Sequence, residues 1–310
     1  MSRAFIFPGQ GSQYVGMGKA LGEAHSAARE VFQEVDDALG LSLSAIMFEG
    51  PEDDLKLTQN TQPALMAVSV AVMRVIAAQG KEMSELAGYV AGHSLGEYSA
   101  LCAAGAIGLS DTARLLRLRG EAMQKAVPVG AGAMAAVLGL EWDEVKAICA
   151  DAGQDVSVAN DNAPGQVVIS GTKAGVEKAA EMAKEAGAKR ALLLPVSAPF
   201  HCALMQPAAD AMRDALAGTE ISVPVLPLIA NVTADVVSDP DQIRDLLVQQ
   251  VTGVVRWRES VARMGALGVD TLVEVGAGKV LSGLARRIDR DMAAISIESP
   301  ETIDDFLTSL

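Results

Sequence analysis

The chain has 310 residues, half of them apolar and only 4% aromatic, and its formal net charge is −14. This length allows a large core, either in one α/β domain with an insertion or in two domains. The acidic charge argues against nucleic acid as a partner. The longest apolar run, residues 64–78, contains Arg74 and is too short to cross a bilayer, so we expect a buried helix and no membrane association.

The cysteines and the N-terminus indicate a reducing compartment. Cys102, Cys149 and Cys202 are widely spaced, odd in number and form no C-x-x-C pair. We therefore expect free thiols, no zinc or other metal site, and a cytoplasmic location. The first ten residues, MSRAFIFPGQ, contain no apolar region of the kind that a secretory signal needs.

The first predicted element is a strand over residues 3–7, which ends in the glycine-rich turn PGQGSQ, residues 8–13. No G-K-[ST] follows, so the turn is not a P-loop, and no glycine stands at position 14, so the dinucleotide fingerprint also fails. Two interpretations remain open. The turn brings a backbone N–H, such as that of Gln10, close to a reactive site, or it only requires glycine for tightness.

Helices are predicted over residues 19–39 and 63–79, followed by a buried strand over 86–91. The segment Gly92–Glu97, GHSLGE, then leads into a helix over 95–104. Strand, G-x-S-x-G and helix is the context of a nucleophile elbow, in which Ser94 sits exposed on a sharp turn. The N–H of Leu95 and the positive helix end would then face a reacting carbonyl. Alone, the pattern is explained equally well by a serine in a glycine-rich turn.

The next helix is predicted over residues 111–127, capped by Ser110, and residues 128–132 break the pattern. Beyond the break the elements follow in the order β-α-β-β-α-β, which is that of a split βαβ or ferredoxin-like unit. Its members are predicted at 133–139, 142–152, 156–159, 166–170, 174–186 and 190–196. We therefore expect an inserted subdomain at residues 129–197. The α/β pattern resumes with elements at 225–230, 240–250, 257–267 and 271–275 and a last helix ending at 287.

A serine nucleophile needs a base, and the chain has three histidines. His25 lies in a polar helical stretch, and His93 adjoins the serine, so its side chain points away but can line a pocket. His201 lies in a proline-broken loop at the subdomain junction, where either a catalytic base or a core histidine is expected. No acid stands out to orient it, so a backbone carbonyl could hold the ring instead.

Arg119 is a candidate for binding a substrate carboxylate. An arginine fixed on a helix near the elbow can hold a carboxylate through two parallel hydrogen bonds. Its charged neighbours favour the other interpretation, a solvated helix face; they are Arg114, Arg117, Glu121 and Lys125.

Ordered motifs along nearly the whole chain resemble those of the malonyl-CoA:acyl carrier protein transacylases of fatty acid synthesis. They are FPGQGSQ (7–13), TQPA (61–64), GHSLGEY (92–98), LRG-x-x-MQ (118–124), GAMAAVLGL (132–140), PGQVVISG (164–171), HCALM (201–205) and VGAGKVL (275–281). The resemblance implies an α/β-hydrolase-like large domain, 1–128 and 198–310, with a ferredoxin-like subdomain, 129–197. It implies a cytoplasmic enzyme that uses malonyl-CoA and acyl carrier protein and needs no cofactor, and we expect a monomer.

The resemblance also implies roles for individual residues. Ser94 matches the nucleophile that takes the malonyl group as an ester, and His201 matches the general base. Gln250 matches the position whose main-chain carbonyl orients that histidine. Gln10 and Leu95 match the two backbone donors of the oxyanion hole.

On the substrate side, Arg119 matches the arginine that pairs with the free carboxylate of malonate. His93 is expected to line the pocket. Phe200 stands where many relatives have serine, and Ala277 where many have proline. A bulky ring at Phe200 would crowd an α-methyl substituent, which favours malonyl over methylmalonyl.

Because acyl carrier proteins of this family are acidic, docking requires a local basic patch on an acidic enzyme. Candidates are Lys189, Arg190, Lys279, Arg286, Arg287 and Arg290.

Three other functions are open from the sequence. A serine esterase or thioesterase would share the elbow but would have no use for Arg119 and no need to exclude water. A non-catalytic carrier-binding scaffold would have no use for an intact set of Ser94, His201 and Arg119. The third is a polyketide extender-loading acyltransferase; the short chain favours a free-standing enzyme, and a discrete trans-acting one stays open.

Overall fold

The computed structural model describes residues 2–153, 155–196 and 198–310, and within these ranges the strands form two sheets. The larger sheet has the order β10-β9-β1-β2-β7-β8, parallel except for the last pair. Its strands are β1 (Arg3–Phe7), β2 (Tyr89–Gly92), β7 (Leu228–Ile229), β8 (Val236–Val237), β9 (Thr271–Val275) and β10 (Ala293–Ile297). The chain is thus mixed α/β with a mainly parallel sheet.

The smaller sheet is antiparallel, with the order β4-β5-β3-β6. Its strands are β3 (Gly132–Leu138), β4 (Val156–Ala163), β5 (Gln166–Thr172) and β6 (Arg190–Leu193), and its helices are α9 (Trp142–Ala152) and α10 (Lys173–Glu185). Alternate strand residues such as Val137, Val167 and Ile169 pack in one cluster with the apolar faces of both helices. The predicted order β-α-β-β-α-β is confirmed. The predicted domain limits at 1 and 197 fall on residues outside the described ranges.

The remaining helices surround the larger sheet. They are α1 (Lys19–Ala24), α2 (Ser26–Leu39), α3 (Leu43–Glu49), α4 (Glu52–Lys56), α5 (Thr58–Ala78), α6 (Met83–Leu86), α7 (Gly96–Ala103), α8 (Leu109–Ala126), α11 (Gln206–Ala217), α12 (Pro240–Thr252), α13 (Trp257–Ala266), α14 (Val280–Ile288) and α15 (Pro300–Thr308), with a short 3₁₀ turn at Ala203–Met205.

Apolar cores lie on both faces of the larger sheet, as a parallel sheet requires. Phe5 and Phe7 of β1 point into the core that contains α5, whereas Ala4 and Ile6 point into a second core. The second core is closed by α13 and α14, with Trp257 fully buried. The near-continuous apolar run of β1 therefore reflects burial on both faces.

Helix α5 is the central helix of the first core. It is long and apolar enough to cross a membrane, but 83% of its most apolar window is buried inside the protein. Ser69 anchors it to the sheet, because its hydroxyl donates to the carbonyl of Val275 at 2.8 Å. The prediction of a buried helix is confirmed.

Several local predictions were wrong. The helix expected over 19–39 is interrupted at His25, which is extended and whose N–H donates to Leu21 O. The interruption lets α1 fold back on α2, where Gly22 faces the ring of Phe32. The strand expected from 86 begins at Tyr89, because residues 83–86 form a turn of helix whose N-terminus is closed by a capping box between Glu82 and Glu85.

Helix α8 begins at Leu109, so Ser110 lies inside the helix and does not cap it. The hydroxyl of Ser110 instead donates to Glu34 at 2.8 Å. The strand expected over 225–230 is limited to Leu228–Ile229. Helices α11 and α15 and strand β10 were not predicted.

Candidate active site

Ser94 lies in the sharp turn between β2 and α7, and its φ of 55° places it in the left-handed region. The flanking glycines are required sterically. A Cβ on Gly92 would lie 1.9 Å from the carbonyl carbon of Gly96, and a Cβ on Gly96 would lie 2.2 Å from the carbonyl oxygen of Phe7. The strand, turn and helix context of the G-x-S-x-G motif is confirmed.

His201 faces the serine. Its Nε2 lies 2.8 Å from Ser94 Oγ, and its Nδ1 lies 2.9 Å from the carbonyl oxygen of Gln250 and 3.2 Å from that of Gly253. Because carbonyls only accept, Nδ1 carries the hydrogen and the Nε2 lone pair faces the serine. The geometry is that of a serine–histidine dyad oriented by backbone carbonyls.

The environment of His201 keeps the ring neutral. Burial, and then the positive charge of Arg119, lower the pKa of His201 to about 3. The residue is 3% exposed and its backbone φ is 57°, again left-handed. At neutral pH the imidazole is therefore available as a proton acceptor.

Arg119 is buried, with 1% of its surface exposed, so the solvated-face interpretation is wrong. Its Nη2 lies 3.2 Å from Ser94 Oγ. Helix α8 reaches this position because it packs very closely on α5, where a Cβ on Gly120 would lie 2.5 Å from the Cα of Gln59. The LRG segment thus combines the charge with the glycine that lets the charge reach the serine.

A polar network supports the serine from behind. The Ser94 N–H donates to Asn231 Oδ1 at 2.8 Å, and Asn231 Nδ2 donates to the carbonyl of Gly92 at 2.6 Å. Gln250 Nε2 donates to the carbonyl of Ser94 at 2.9 Å and to Glu97 Oε2 at 2.7 Å. Burial raises the pKa of Glu97 to about 7.

Sequence reasoning missed three members of this site, which are Asn231, Glu97 and Gln62. The available signal for Asn231 was its place after a buried strand of the parallel sheet, where side chains gather at one edge. Gln62 and Glu97 lie inside the quoted TQPA and GHSLGEY motifs, but nothing in those motifs indicates burial of a polar side chain. For Gln250, only the main-chain carbonyl was anticipated.

Gln10 and Leu95 both line the cavity beside Ser94. Within the described ranges, neither backbone N–H donates to a protein group, so both remain available to a bound oxygen atom. The turn before Gln10 needs glycine for close approach, because a Cβ on Gly9 would lie 2.7 Å from the carbonyl oxygen of His93. The two interpretations of the PGQG turn are therefore compatible.

The cavity at the serine has a volume of about 170 Å³, similar to an engineered cavity of about 150 Å³ that binds benzene. Phe200 forms part of an apolar wall, together with Met123, Met134, Val168, Leu194 and Val196. His93 also lines the cavity; its Nε2 lies 2.8 Å from Asn162 Oδ1, and its ring packs against Trp257. In the part of the chain that the structure describes, no group of three His, Cys, Asp or Glu side chains is arranged to hold a metal ion.

A cavity that contains a serine–histidine dyad and a buried arginine is compatible with acyl transfer. Residues 4–295 match the family model of the acyl transferase domain. The chain is 47% identical to the malonyl CoA-acyl carrier protein transacylase of Bacillus subtilis over 97% of its length and 95% of that protein. It is 48% identical to the Escherichia coli K12 enzyme of the same name, with 97% of each chain covered.

Solved structures agree. An acyl-carrier-protein S-malonyltransferase from Bartonella henselae superposes with a TM-score of 0.98 at 58% identity, covering 100% of this chain and 99% of the other. A malonyl-transacylase solved with a type II polyketide acyl carrier protein has a TM-score of 0.97 at 44% identity, with full coverage of both chains. The chain belongs to the acyl transferase family and, within it, to the malonyl-CoA:acyl carrier protein transacylases.

Proposed function

We propose that this chain transfers the malonyl group from malonyl-CoA to the phosphopantetheine thiol of acyl carrier protein, through an ester on Ser94. The observation that carries the proposal is the meeting of three groups at one oxygen atom. Ser94 Oγ lies 2.8 Å from the neutral base His201 and 3.2 Å from the buried cation Arg119. A nucleophile, a base and a carboxylate-binding group are what malonyl transfer requires, and the relatives' names agree.

In the first half-reaction Ser94 Oγ attacks the thioester carbonyl while its proton passes to Nε2 of His201. The carbonyl oxygen becomes an oxyanion, for which the N–H groups of Gln10 and Leu95 are the proposed donors. The carbon–sulfur bond then breaks, and CoA leaves as its thiol with the proton from His201. The carbonyls of Gln250 and Gly253 hold the transient imidazolium through Nδ1.

In the second half-reaction the phosphopantetheine thiol of the carrier protein gives its proton to His201 and attacks the malonyl ester. The ester bond to Ser94 breaks, and the serine oxygen regains the proton. The same base and oxyanion donors serve both halves, so the kinetics are of the ping-pong type. Neither half-reaction changes the oxidation state of any atom.

The malonyl carboxylate is assigned to Arg119. Nε and Nη2 form one edge of the planar guanidinium, which matches a carboxylate in a two-point interaction. Nη2 is directed at Ser94 Oγ, and within the described ranges Nε is buried without a partner. The Nε–H is therefore available to the distal carboxylate of an acyl group on Ser94, and the Nη2–H that donates to Ser94 Oγ is the proposed second donor. Phe200 in the cavity wall is proposed to disfavour α-methyl extender units.

The finer architecture is also a proposal. The strand order β4-β5-β3-β6 with both helices on one face supports a ferredoxin-like subdomain at 129–197. The mainly parallel sheet with its serine elbow supports an α/β-hydrolase-like large domain, formed by 1–128 and 198–310. A monomer in the cytoplasm fits the acidic surface, the buried apolar helix α5 and the three free cysteines.

For carrier-protein docking we propose the basic groove, which is lined by Lys189, Arg190 and Arg287 and also contains Glu141. It lies between the start of β6 and helix α14. Arg190→Glu and Arg287→Glu should raise the carrier-protein KM without slowing malonyl-CoA loading. Reversal of Arg213, which lies outside the groove and pairs with Asp210 of its own helix α11, is the matched control. An unchanged KM in both groove variants would place docking elsewhere.

The central test is intact-protein mass spectrometry after brief mixing with malonyl-CoA. A gain of one malonyl group, absent in Ser94→Ala and discharged by holo acyl carrier protein, supports the transferase. An adduct that decays at the same rate without carrier protein indicates a thioesterase. Comparing a fatty-acid carrier protein with a type II polyketide carrier protein in the discharge step separates the two transferase roles.

A further inference from the structure

The buried cation Arg119 is held by neutral groups. Its Nη1 donates to Gln62 Oε1 at 2.7 Å, and its Nη2 donates to Gln250 Oε1 at 2.9 Å. Across residues 2–153, 155–196 and 198–310, no carboxylate oxygen lies within the 4.0 Å limit of an ion pair with this guanidinium. Buried arginines are ordinarily paired with an acid, so this arrangement leaves an uncompensated charge beside the nucleophile.

The orientation of both amides is fixed by chemistry. A guanidinium only donates hydrogen bonds, so each glutamine must present its oxygen to Arg119. Gln250 Nε2 is occupied by Glu97 Oε2 and by the carbonyl of Ser94. The carboxyl group of Glu97 is thus separated from Arg119 by the neutral amide of Gln250. Among the described residues, the partner of Gln62 Nε2 is the sulfur of Met123, at 3.8 Å.

We propose that Gln62 and Gln250 are specificity-determining positioning residues. Their amide oxygens fix the direction of Arg119 without neutralising it, so the positive charge remains available to a carboxylate on the acyl group. A carboxylate in place of either amide would form an internal ion pair and compete with the substrate. The inference rests on the proposed malonyl transfer, since a donor without a carboxylate has no need of a free charge at this place.

The inference is tested at Gln62, because the contact of its amide nitrogen with the Met123 sulfur is weak. A change at Gln250 would also remove its hydrogen bonds to Ser94 and Glu97. Gln62→Glu has nearly the shape of the wild type and places a carboxylate oxygen next to Arg119 Nη1. Gln62→Met keeps the length and neutrality of the side chain but removes the acceptor. The two variants therefore separate added charge from lost positioning.

The experiment measures the rate of Ser94 loading from malonyl-CoA and from acetyl-CoA by rapid quench and intact mass, with thermal unfolding as a check on folding. For Gln62→Glu we expect the malonyl-to-acetyl ratio of kcat/KM to fall about 10- to 100-fold, since charged hydrogen bonds are at stake. Acetyl loading should fall less than malonyl loading, because the acetyl group does not need the charge of Arg119. For Gln62→Met the ratio should lie between the wild-type value and that of Gln62→Glu.

Three results would overturn the inference. In the first, the malonyl-to-acetyl ratio of kcat/KM in Gln62→Glu stays within twofold of wild type. In the second, loading from malonyl-CoA and loading from acetyl-CoA slow equally in Gln62→Glu. In the third, Gln62→Met lowers the ratio as much as Gln62→Glu does. Failure of the proposed function is recognised separately, because the wild-type protein would then acquire no malonyl group before any variant is compared.

Discussion

Replacing Arg119 should separate malonyl transfer from acetyl transfer. The structure offers the distal carboxylate two donors, Nε and Nη2, on one edge of a guanidinium that is 1% exposed. Each charged hydrogen bond contributes about 1.5–3 kcal/mol. Losing both costs about 3–6 kcal/mol, which corresponds to a factor of about 10² to 10⁴ in kcat/KM for malonyl-CoA.

Arg119→Met is the preferred variant, because it fills more of the buried space than Arg119→Ala and limits cavity effects. The assay follows Ser94 loading from malonyl-CoA and acetyl-CoA at several concentrations of each. We expect acetyl loading within about tenfold of wild type, since only a neutral methyl group then faces residue 119. An equal loss for both donors would show that Arg119 supports the nucleophile or the fold rather than the substrate carboxylate.

Three further predictions follow from the site. Because burial and the charge of Arg119 lower the pKa of His201 to about 3, the rate of loading from acetyl-CoA, whose acyl group carries no charge, should stay flat down to pH 5. In Arg119→Met the acid limb of this profile should move to higher pH; an unmoved limb would contradict the charge effect. The pKa of Glu97 is raised from 4.5 to about 7, so the folded state binds more protons than the unfolded state in this range. The contribution of Glu97 to the free energy of unfolding should therefore fall by about 3 kcal/mol as the pH rises from 4.5 to 8. Urea unfolding of Glu97→Gln should show a correspondingly smaller fall than the wild type over this pH range; equal falls would refute the assignment. Gly96→Ala places a Cβ 2.2 Å from the carbonyl oxygen of Phe7, so we expect at least about 3 kcal/mol of destabilisation, whereas Gly105→Ala, with open space around it, should cost about 1–2 kcal/mol because of its positive φ.

The sequence predicted best those elements whose periodicity reflects burial on a known face. The strand Arg3–Phe7, the helix α9 and the succession of strands and helices in the smaller sheet were all predicted, because apolar runs and alternation report directly on packing. The interruptions of helices were predicted less well. The interruption at His25 depends on tertiary packing of α1 against α2, for which the local residues carry no signal.

In the candidate site, too, the features set by local sterics were predicted and those set by tertiary packing were not. Ser94 was identified because the glycines around it are fixed by steric limits that act locally. The burial of Arg119 was not derivable from its own helix, whose other charged residues indicated solvent. It depends on the close approach of two helices at Gly120 and on a contact with Ser94, which lies 25 residues before Arg119 in the sequence. The amide of Gln62 was missed for the same reason.

The left-handed backbone at Ser94 and at His201 has a consequence for how this chain tolerates evolution. Such conformations cost of order 1–3 kcal/mol for each residue that has a Cβ. Both reacting residues therefore carry backbone strain. Glycine at either position would relieve that strain and abolish the chemistry. Selection for thermal stability alone would therefore drive this chain toward an inactive protein, and only selection for acyl transfer retains a side chain at these two points.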